Sequence, residues 1–321
     1  MHLCKSYPIF LLFTIAPDLL IQSNISLSDH TTIGLGGPAT QFAVCESLEQ
    51  IQECLNYASA SRLRVSIIGG GSNVIFADEG FRGLVLKLAL RNIAFMEDGQ
   101  SVVVTAAAGE CWDQFVDSCI QHHLAGIECL SGIPGLVGAT PIQNVGAYGQ
   151  EVSTVLVSLK AMERETQKIV NFSGDECRFA YRQSRFKSED ADRYIITEVT
   201  FRLRKHGRPE IRYPELSKYI ESRVNVNALE SGRPALEAVR QAVIALRKTK
   251  SMVVDTADPN SRSVGSFFMN PVLTRDEYHL LEVRWRDGGT SDSIPTFPAG
   301  TNVKIAAAWL VEKSGFRKGF R

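Results

Sequence analysis

Short β-branched runs broken by glycine dominate the first two-thirds of the chain. Val65–Ile68, Gly83–Lys87, Val102–Thr105, Val155–Ser158 and Ile195–Val199 have the length and composition of strands. Between them the apolar positions change period. Ile51, Leu55, Tyr57 and Ala58 recur at helical spacing over Leu48–Ala58, as do Phe115, Val116 and Ile120 over Trp112–His122. A later helix is expected over Ala235–Lys250, carrying Ala238, Val239, Ala242, Val243 and Leu246. It ends in Arg247, Lys248 and Lys250, where cations suit the negative end of the helix dipole. His122 and His123 decorate the end of the second helix. After Asp255 the pattern turns rich in Asp, Gly, Ser and Pro, and a last helix is expected over Val303–Lys313, stopping at Gly315. No internal repeat is visible. The pattern predicts an α+β or mixed α/β chain, with a boundary where Lys205–Pro209 interrupts it.

Composition narrows the class. The 321 residues are 44% hydrophobic and 22% charged, enough for two or three packed domains. Lys plus Arg equals Asp plus Glu at 35 each, so no whole-chain field draws the protein to nucleic acid or an anionic membrane, and a small-molecule partner is favoured. The seven cysteines are scattered and form no C-x-x-C pair, and the histidines show no ligand spacing, so no metal is expected. Lys5 precedes an apolar run, Ile9–Ala16, that is similar to a short signal-peptide core; Pro8 and Pro17 bracket it, and the free-cysteine pattern suits the cytosol. A cytoplasmic monomer is the expectation.

Two glycine-rich segments carry the chemistry. Ile67–Phe76 runs from a strand into Gly69, Gly70, Gly71, Ser72 and Asn73, a turn that lets backbone approach an anion. Val74 stands where a dinucleotide fingerprint needs its third glycine, and no Gly-Lys-Ser/Thr occurs. Alone, such a turn is more often a hairpin. The second segment, Leu130–Gly149, is dense in glycine and also holds Pro134 and Pro141, which suits backbone lying flat along an extended ligand.

In these segments Gly69–Asn73, Ser131-Gly-Ile-Pro-Gly135 and Pro141–Gly149 resemble the FAD-binding motifs of the UDP-N-acetylenolpyruvoylglucosamine reductase family. His30–Ala39 resembles the family's opening, Phe179–Phe186 its catalytic arginine segment, Gly265–Pro271 its serine turn and Ala307–Gly315 its late helix. The likeness covers residues 30 to 318. It implies an α+β fold with an FAD-binding domain of the vanillyl-alcohol-oxidase-like type over 30–206 and a smaller α+β substrate domain over 207–321. Residues 1–29 would be a disordered extension.

The resemblance implies non-covalent FAD as cofactor, NADPH as electron donor and a nucleotide-sugar substrate. It assigns flavin contacts to Gly69, Gly70, Gly71, Ser72, Asn73, Ser131, Gly132, Ile133, Pro134, Gly135, Gly138, Gln143, Asn144, Gly146 and Tyr148. Arg182 would stabilise developing negative charge on the substrate and Ser266 would protonate it. Tyr213, matching the substrate-covering tyrosine of the longer subclass, would join Lys250 and Asn270 in holding substrate. Met269 replaces a residue that is often polar in the family. Members of the family are expected to continue for several tens of residues beyond the equivalent of Arg321, with a carboxylate, usually Glu, that has no counterpart here. A rival reading is an FAD-linked oxidase of the same fold; residues 61 to 80 offer neither the His nor the Cys that often tethers flavin in such enzymes. A flavin-binding remnant without turnover is the other.

Overall fold

The computed structural model describes residues 19–223, 231–290 and 292–316; the Ile9–Ala16 run lies outside them. Strand β1 (Ile21–Ser26) pairs antiparallel with β2 (Pro38–Cys45), as Ile21 opposite Ala43 and Ser26 opposite Pro38. Residues 21–26, expected within a disordered extension, are therefore the edge of a sheet. Leu19 and the Ile21 side pack on the same core as Ala43, which fixes the strand.

Helix α1 (Leu48–Ala60) follows, with Ser47 accepting a hydrogen bond from the Gln50 N–H at its start. It buries Ile51, Cys54, Leu55 and Ala58 against the sheet completed by β3 (Val65–Ile68) and β4 (Phe81–Leu88). The order is β1-β2-β4-β3, with β4 parallel to both β2 and β3. The apolar run Val74–Phe76 after the glycine turn is not a strand. Val74 and Phe76 instead pack on Leu27 and Phe42.

A second sheet is antiparallel. It contains β5 (Ile93–Asp98), β6 (Ser101–Ala107), the short β7 (Leu124–Ala125) after helix α2 (Trp112–Gln121), and, beyond the small β8 (Gly146–Ala147) and β9 (Gln150–Glu151) pair, β10 (Leu156–Glu163), β11 (Ile169–Ser173) and β12 (Tyr194–Lys205). Alternation along β6 buries Val102, Val104 and Ala106. Against them α2 lays Trp112, Phe115, Val116 and Ile120, all fully buried, with Trp112, Phe115 and Phe201 forming a trio of tilted rings 5.2–5.9 Å apart. Each such ring contributes roughly 1.5–3 kcal/mol by burial. His122 caps this helix, its Nδ1 lying 2.8 Å from the Ser118 carbonyl oxygen and its ring stacked on Phe95.

Helices α3 (Pro214–Glu221), with Pro at its first position, and α4 (Gly232–Lys248) pack together through Leu216, Ile220, Val239 and Val243, over Cys129 of the preceding loop. Leu236 of α4 joins the core beneath α2. The chain accordingly divides into compact units at Gly265/Ser266, with α3 and α4 in the first although sequence placed them beyond a boundary at 206. Their apolar stripes have that core to cover.

The second unit is described by itself. It holds β13 (Val272–Leu273), α5 (Arg275–Asp287), β14 (Thr296–Ala299), β15 (Asn302–Ile305) and α6 (Ala307–Lys313), with sheet order β13-β15-β14. Helix α5 was not expected, yet it opens on a capping box between Thr274 and Glu277. The helix expected over Val303–Lys313 starts only at Ala307. Val303, Lys304 and Ile305 pair instead with Pro298, Phe297 and Thr296 of β14.

Candidate functional site: a cavity between two glycine loops

Where β3 ends, the chain needs a residue without a side chain twice in succession. A Cβ on Gly70 would lie 2.9 Å from Gly135 Cα, so this loop and the Ser131–Gly135 loop touch backbone to backbone. Gly71 has φ +65°, and a Cβ there would run into the His30 carbonyl oxygen. The Ser72 hydroxyl then donates to the Pro134 carbonyl oxygen at 3.1 Å, joining the loops, and Asn73 Nδ2 donates to the Val264 carbonyl at 2.7 Å.

Between the loops lies a cavity of about 330 Å³. Gly69, Gly70, Gly71, Ser72, Asn73, Ile133, Pro134, Gly135 and Gln143 line it, with Leu136, Ile142 and Val145 as its apolar wall and Lys187 as a cation. An adjoining cavity of about 220 Å³ shares Ile67, Gly69, Leu136, Ala139 and Ile142 with the first and adds Gly138 and Arg164. Gly138 is held tight there, since a Cβ would sit 2.5 Å from that of Ala108. Apolar walls with a few polar groups and backbone on view suit a flat ring system carrying phosphates. The donor set therefore fits FAD. Arg164 and Lys187 were not singled out in the sequence, because on a strand end and beside Phe186 they read as ordinary surface charges.

The other expected flavin residues lie behind or beside this cavity. Ser131 is fully buried, its hydroxyl donating to the Glu128 carbonyl at 2.7 Å. Gly132, at φ +69°, is gripped through its backbone: its N–H donates to Asp113 Oδ1 at 2.5 Å and its carbonyl accepts from Arg247 Nε at 3.2 Å. Asn144 is buried at φ 45°, and its side chain is committed within the protein. It donates to Glu151 at 2.9 Å and the Ala180 carbonyl at 3.2 Å, and accepts from the Ser153 N–H at 3.0 Å. Gly146 sits in β8, where a Cβ would lie 2.8 Å from Glu151 Cγ.

Arg182 occupies the tip of a two-residue turn. Ala180 and Gln183 exchange backbone hydrogen bonds at 3.0 and 3.1 Å around it, and Arg182 itself has φ 51°, a conformation costly for a residue with a Cβ. Its guanidinium lies 5.8 Å from the Tyr181 ring centre. Both shoulders of the turn are tied to the glycine-rich segment, by Asn144 to Ala180 and by the Ser184 hydroxyl donating to the Ile142 carbonyl at 2.6 Å. The strained arginine is thus referenced to the cavity wall.

A second group gathers Tyr148, Tyr213 and Lys250. The tyrosine rings meet edge to face at 5.5 Å, and Lys250 Nζ donates to Glu215 at 2.7 Å. Burial holds the Tyr148 hydroxyl above the usual tyrosine range. Burial works against the Lys250 charge, yet the Glu215 hydrogen bond and the nearby tyrosines outweigh it and raise its pKa. Ser266 and Asn270 belong to the second unit: Ser266 is exposed beside the exposed Phe267–Phe268 pair, and Asn270 Oδ1 accepts from the Ala307 N–H at 2.9 Å, capping α6. Among the described residues no group of three or more His, Cys, Asp and Glu side chains could hold a metal ion, and no helix is long and apolar enough to cross a membrane.

Comparison with known proteins fits this geometry. The FAD binding domain family model matches residues 39–173. A UDP-N-acetylenolpyruvoylglucosamine reductase from Thermobifida fusca is 42% identical over 302 residues, 92% of this chain and 82% of the relative. One from Salinispora arenicola is 42% identical, covering 94% of this chain and 81% of the relative. The crystal structure of the Thermus caldophilus UDP-N-acetylenolpyruvylglucosamine reductase aligns with a TM-score of 0.55 at 21% identity, over 93% of this chain and 94% of that one, a likeness of fold. The architecture is an α+β flavoprotein fold. With two glycine loops closing on one cavity and this identity over nearly its whole length, the chain belongs to the UDP-N-acetylenolpyruvoylglucosamine reductase family.

Proposed function

We propose that the protein is the NADPH-dependent, FAD-mediated reductase that converts UDP-N-acetylenolpyruvoylglucosamine to UDP-N-acetylmuramate in peptidoglycan precursor synthesis. The observation that carries this reading is the 42% identity to the Thermobifida fusca reductase over 92% of the chain. The chemistry that FAD supplies when bound is hydride relay, from NADPH to the enolpyruvyl double bond.

The chain's own residues do the rest. Gly69–Asn73 and Ile133–Gly135 hold the cofactor by close backbone approach, with Lys187 and Arg164 as nearby cations. Arg182 binds the substrate carboxylate and stabilises the charge that grows beside it; a permanently protonated, forked guanidinium suits that task better than an ammonium. Its strained turn keeps it aimed without reorganisation. Ser266 delivers the proton to the carbon next to the carboxylate, since a positioned hydroxyl is acid enough for a strongly basic enolate. Tyr213 covers the substrate, Lys250 binds its diphosphate, and Asn270 is a further substrate contact. Residues 30–206 act as the flavin domain and 207 onward as the substrate domain. The protein works as a cytoplasmic monomer.

The test is direct. The purified protein is expected to show a flavin absorbance spectrum and to consume NADPH only when the enolpyruvyl substrate is added. A colourless protein that takes up no added FAD overturns the cofactor assignment. A yellow one that NADPH reduces, but that substrate never reoxidises, overturns the reductase reading and leaves a flavin-binding remnant.

A further inference from the structure

Behind the flavin loop, two side chains from two helices converge on the backbone of one residue, and a third braces the first of them. Asp113, in the first turn of α2, accepts the Gly132 N–H at 2.5 Å. The same carboxylate is held by Arg240 of α4 through two hydrogen bonds, Nη1 to Oδ1 at 2.6 Å and Nη2 to Oδ2 at 2.9 Å, and Arg240 Nε also reaches Asp117 at 3.1 Å. Two helical turns further along α4, Arg247 donates Nε to the Gly132 carbonyl at 3.2 Å and Nη2 to the Met252 carbonyl at 2.8 Å. Gly132 is thus held at both its polar atoms.

Glycine suits this grip for its backbone: Gly132 sits at φ +69°, in the left-handed region that strains a residue with a Cβ, while Ile244, Val253 and Arg247 would meet a Cβ at ordinary contact distance, 3.4–3.5 Å. Arg240 is largely buried, its side chain 15% exposed. Burial alone would raise the Asp113 carboxyl, but the Arg240 and Gly132 hydrogen bonds outweigh it and hold it below the usual carboxylate range. A bidentate guanidinium fixes direction as well as charge. The next residues, Ile133, Pro134 and Gly135, line the cavity.

The geometry points to Asp113, Arg240 and Arg247 as positioning residues for the flavin: a clamp through which α2 and α4 set the backbone of Ser131–Gly135 in its cofactor-binding conformation. This rests on the reading of the cavity as the FAD site. Helix α4 then serves the cofactor, and its basic end does more than answer its dipole.

The test is FAD titration into apoprotein by calorimetry, beside thermal melting of the apoprotein, for Asp113→Ala, Arg247→Met, Arg240→Met and Arg240→Lys. The three truncating variants are expected to bind FAD about tenfold more weakly or worse, while Arg240→Lys recovers part of the loss. Melting of the apoprotein is expected to fall less than melting of the FAD complex, because the clamp matters most where the loop meets cofactor. Unchanged FAD affinity in variants whose apoprotein melts earlier overturns the proposal, leaving an ordinary buried ion pair. If Asp113→Ala does not fold, Asp113→Asn keeps an acceptor for Gly132 and is expected to show an intermediate loss; wild-type affinity there has the same adverse meaning. Wild-type protein that binds no FAD refutes the flavin reading itself, whereas wild-type binding with unaltered variants refutes only the clamp.

Discussion

The first compact unit and the second are built to different standards. In the first, α2 sets Trp112, Phe115 and Ile120 wholly out of solvent against β6 and β12, three apolar clusters cover the two sheets, and a fourth joins α3 to α4. In the second, α5 buries no residue, and Leu280, Val283 and Phe297 are exposed; Ile294, Ile305 and Ala307 are its buried apolar residues among those described. Burial scales with stability, so the cradle of the cofactor has a deep core to hold it rigid and the segment carrying Ser266 has little of its own. Regions with few buried contacts open first, and moving parts are drawn from them.

The largest expected effect separates the two units by function. Ser266→Ala is expected to leave FAD content unchanged and slow substrate-dependent NADPH oxidation about 10²–10⁴-fold; loss of flavin instead would mean that the turn supports the cradle. Trp112→Ala attacks the deeper core and should cost about 3–5 kcal/mol in denaturant titration of the first unit. If the loss is under about 1 kcal/mol, the contrast in packing has been overdrawn. Gly71→Ala forces a side chain into left-handed backbone and the His30 carbonyl, for an expected cost of about 3 kcal/mol with flavin loss, measured by melting with and without FAD.

Acid sharpens the comparison further. Asp113 is held below its ordinary value in the folded chain, so its contribution is complete above about pH 4, the unfolded carboxylate value, and fades as pH falls through the lower folded value. FAD should stay bound from neutral pH down to about pH 5 and be released in stronger acid, and Asp113→Asn should flatten that part of the curve. Smallest is Thr274→Ala, which removes the capping box of α5 and should cost about 1 kcal/mol, seen as faster amide exchange confined to the second unit.

Much of the cradle was legible in the sequence because its signals are local. Three successive glycines after a β-branched run, and Ser131-Gly-Ile-Pro-Gly135 after an amphipathic helix, say that backbone must come close to something, and the cavity lies between those two segments. The clamp was not legible. Asp113 and Arg240 are 127 positions apart, and each alone looks like a solvated charge on a helix. The bracing role of Asn144 was not legible either: its place in a glycine-rich motif points to a ligand, and only the fold shows its side chain holding Glu151, Ser153 and Ala180. Helix α5 escaped because its sequence shows no apolar stripe, and its one local signature is the Thr274–Glu277 cap. Strand β15 escaped because Val303–Ile305 runs straight into helix-forming alanines.

Trp112 also ties the two ends of the flavin loop, its backbone N–H donating to the Gly135 carbonyl at 3.1 Å and its indole N–H to the Leu130 carbonyl at 3.0 Å. The chain has three tryptophans, and the other two, Trp285 and Trp309, pack on each other in the second unit. The protein therefore carries its own pair of optical probes. Indole emission from Trp112 reports the dry interior next to the cofactor loop, and the edge-to-face pair reports the thinner unit, so replacing either set by phenylalanine turns a single fluorescence melt into two separately readable ones.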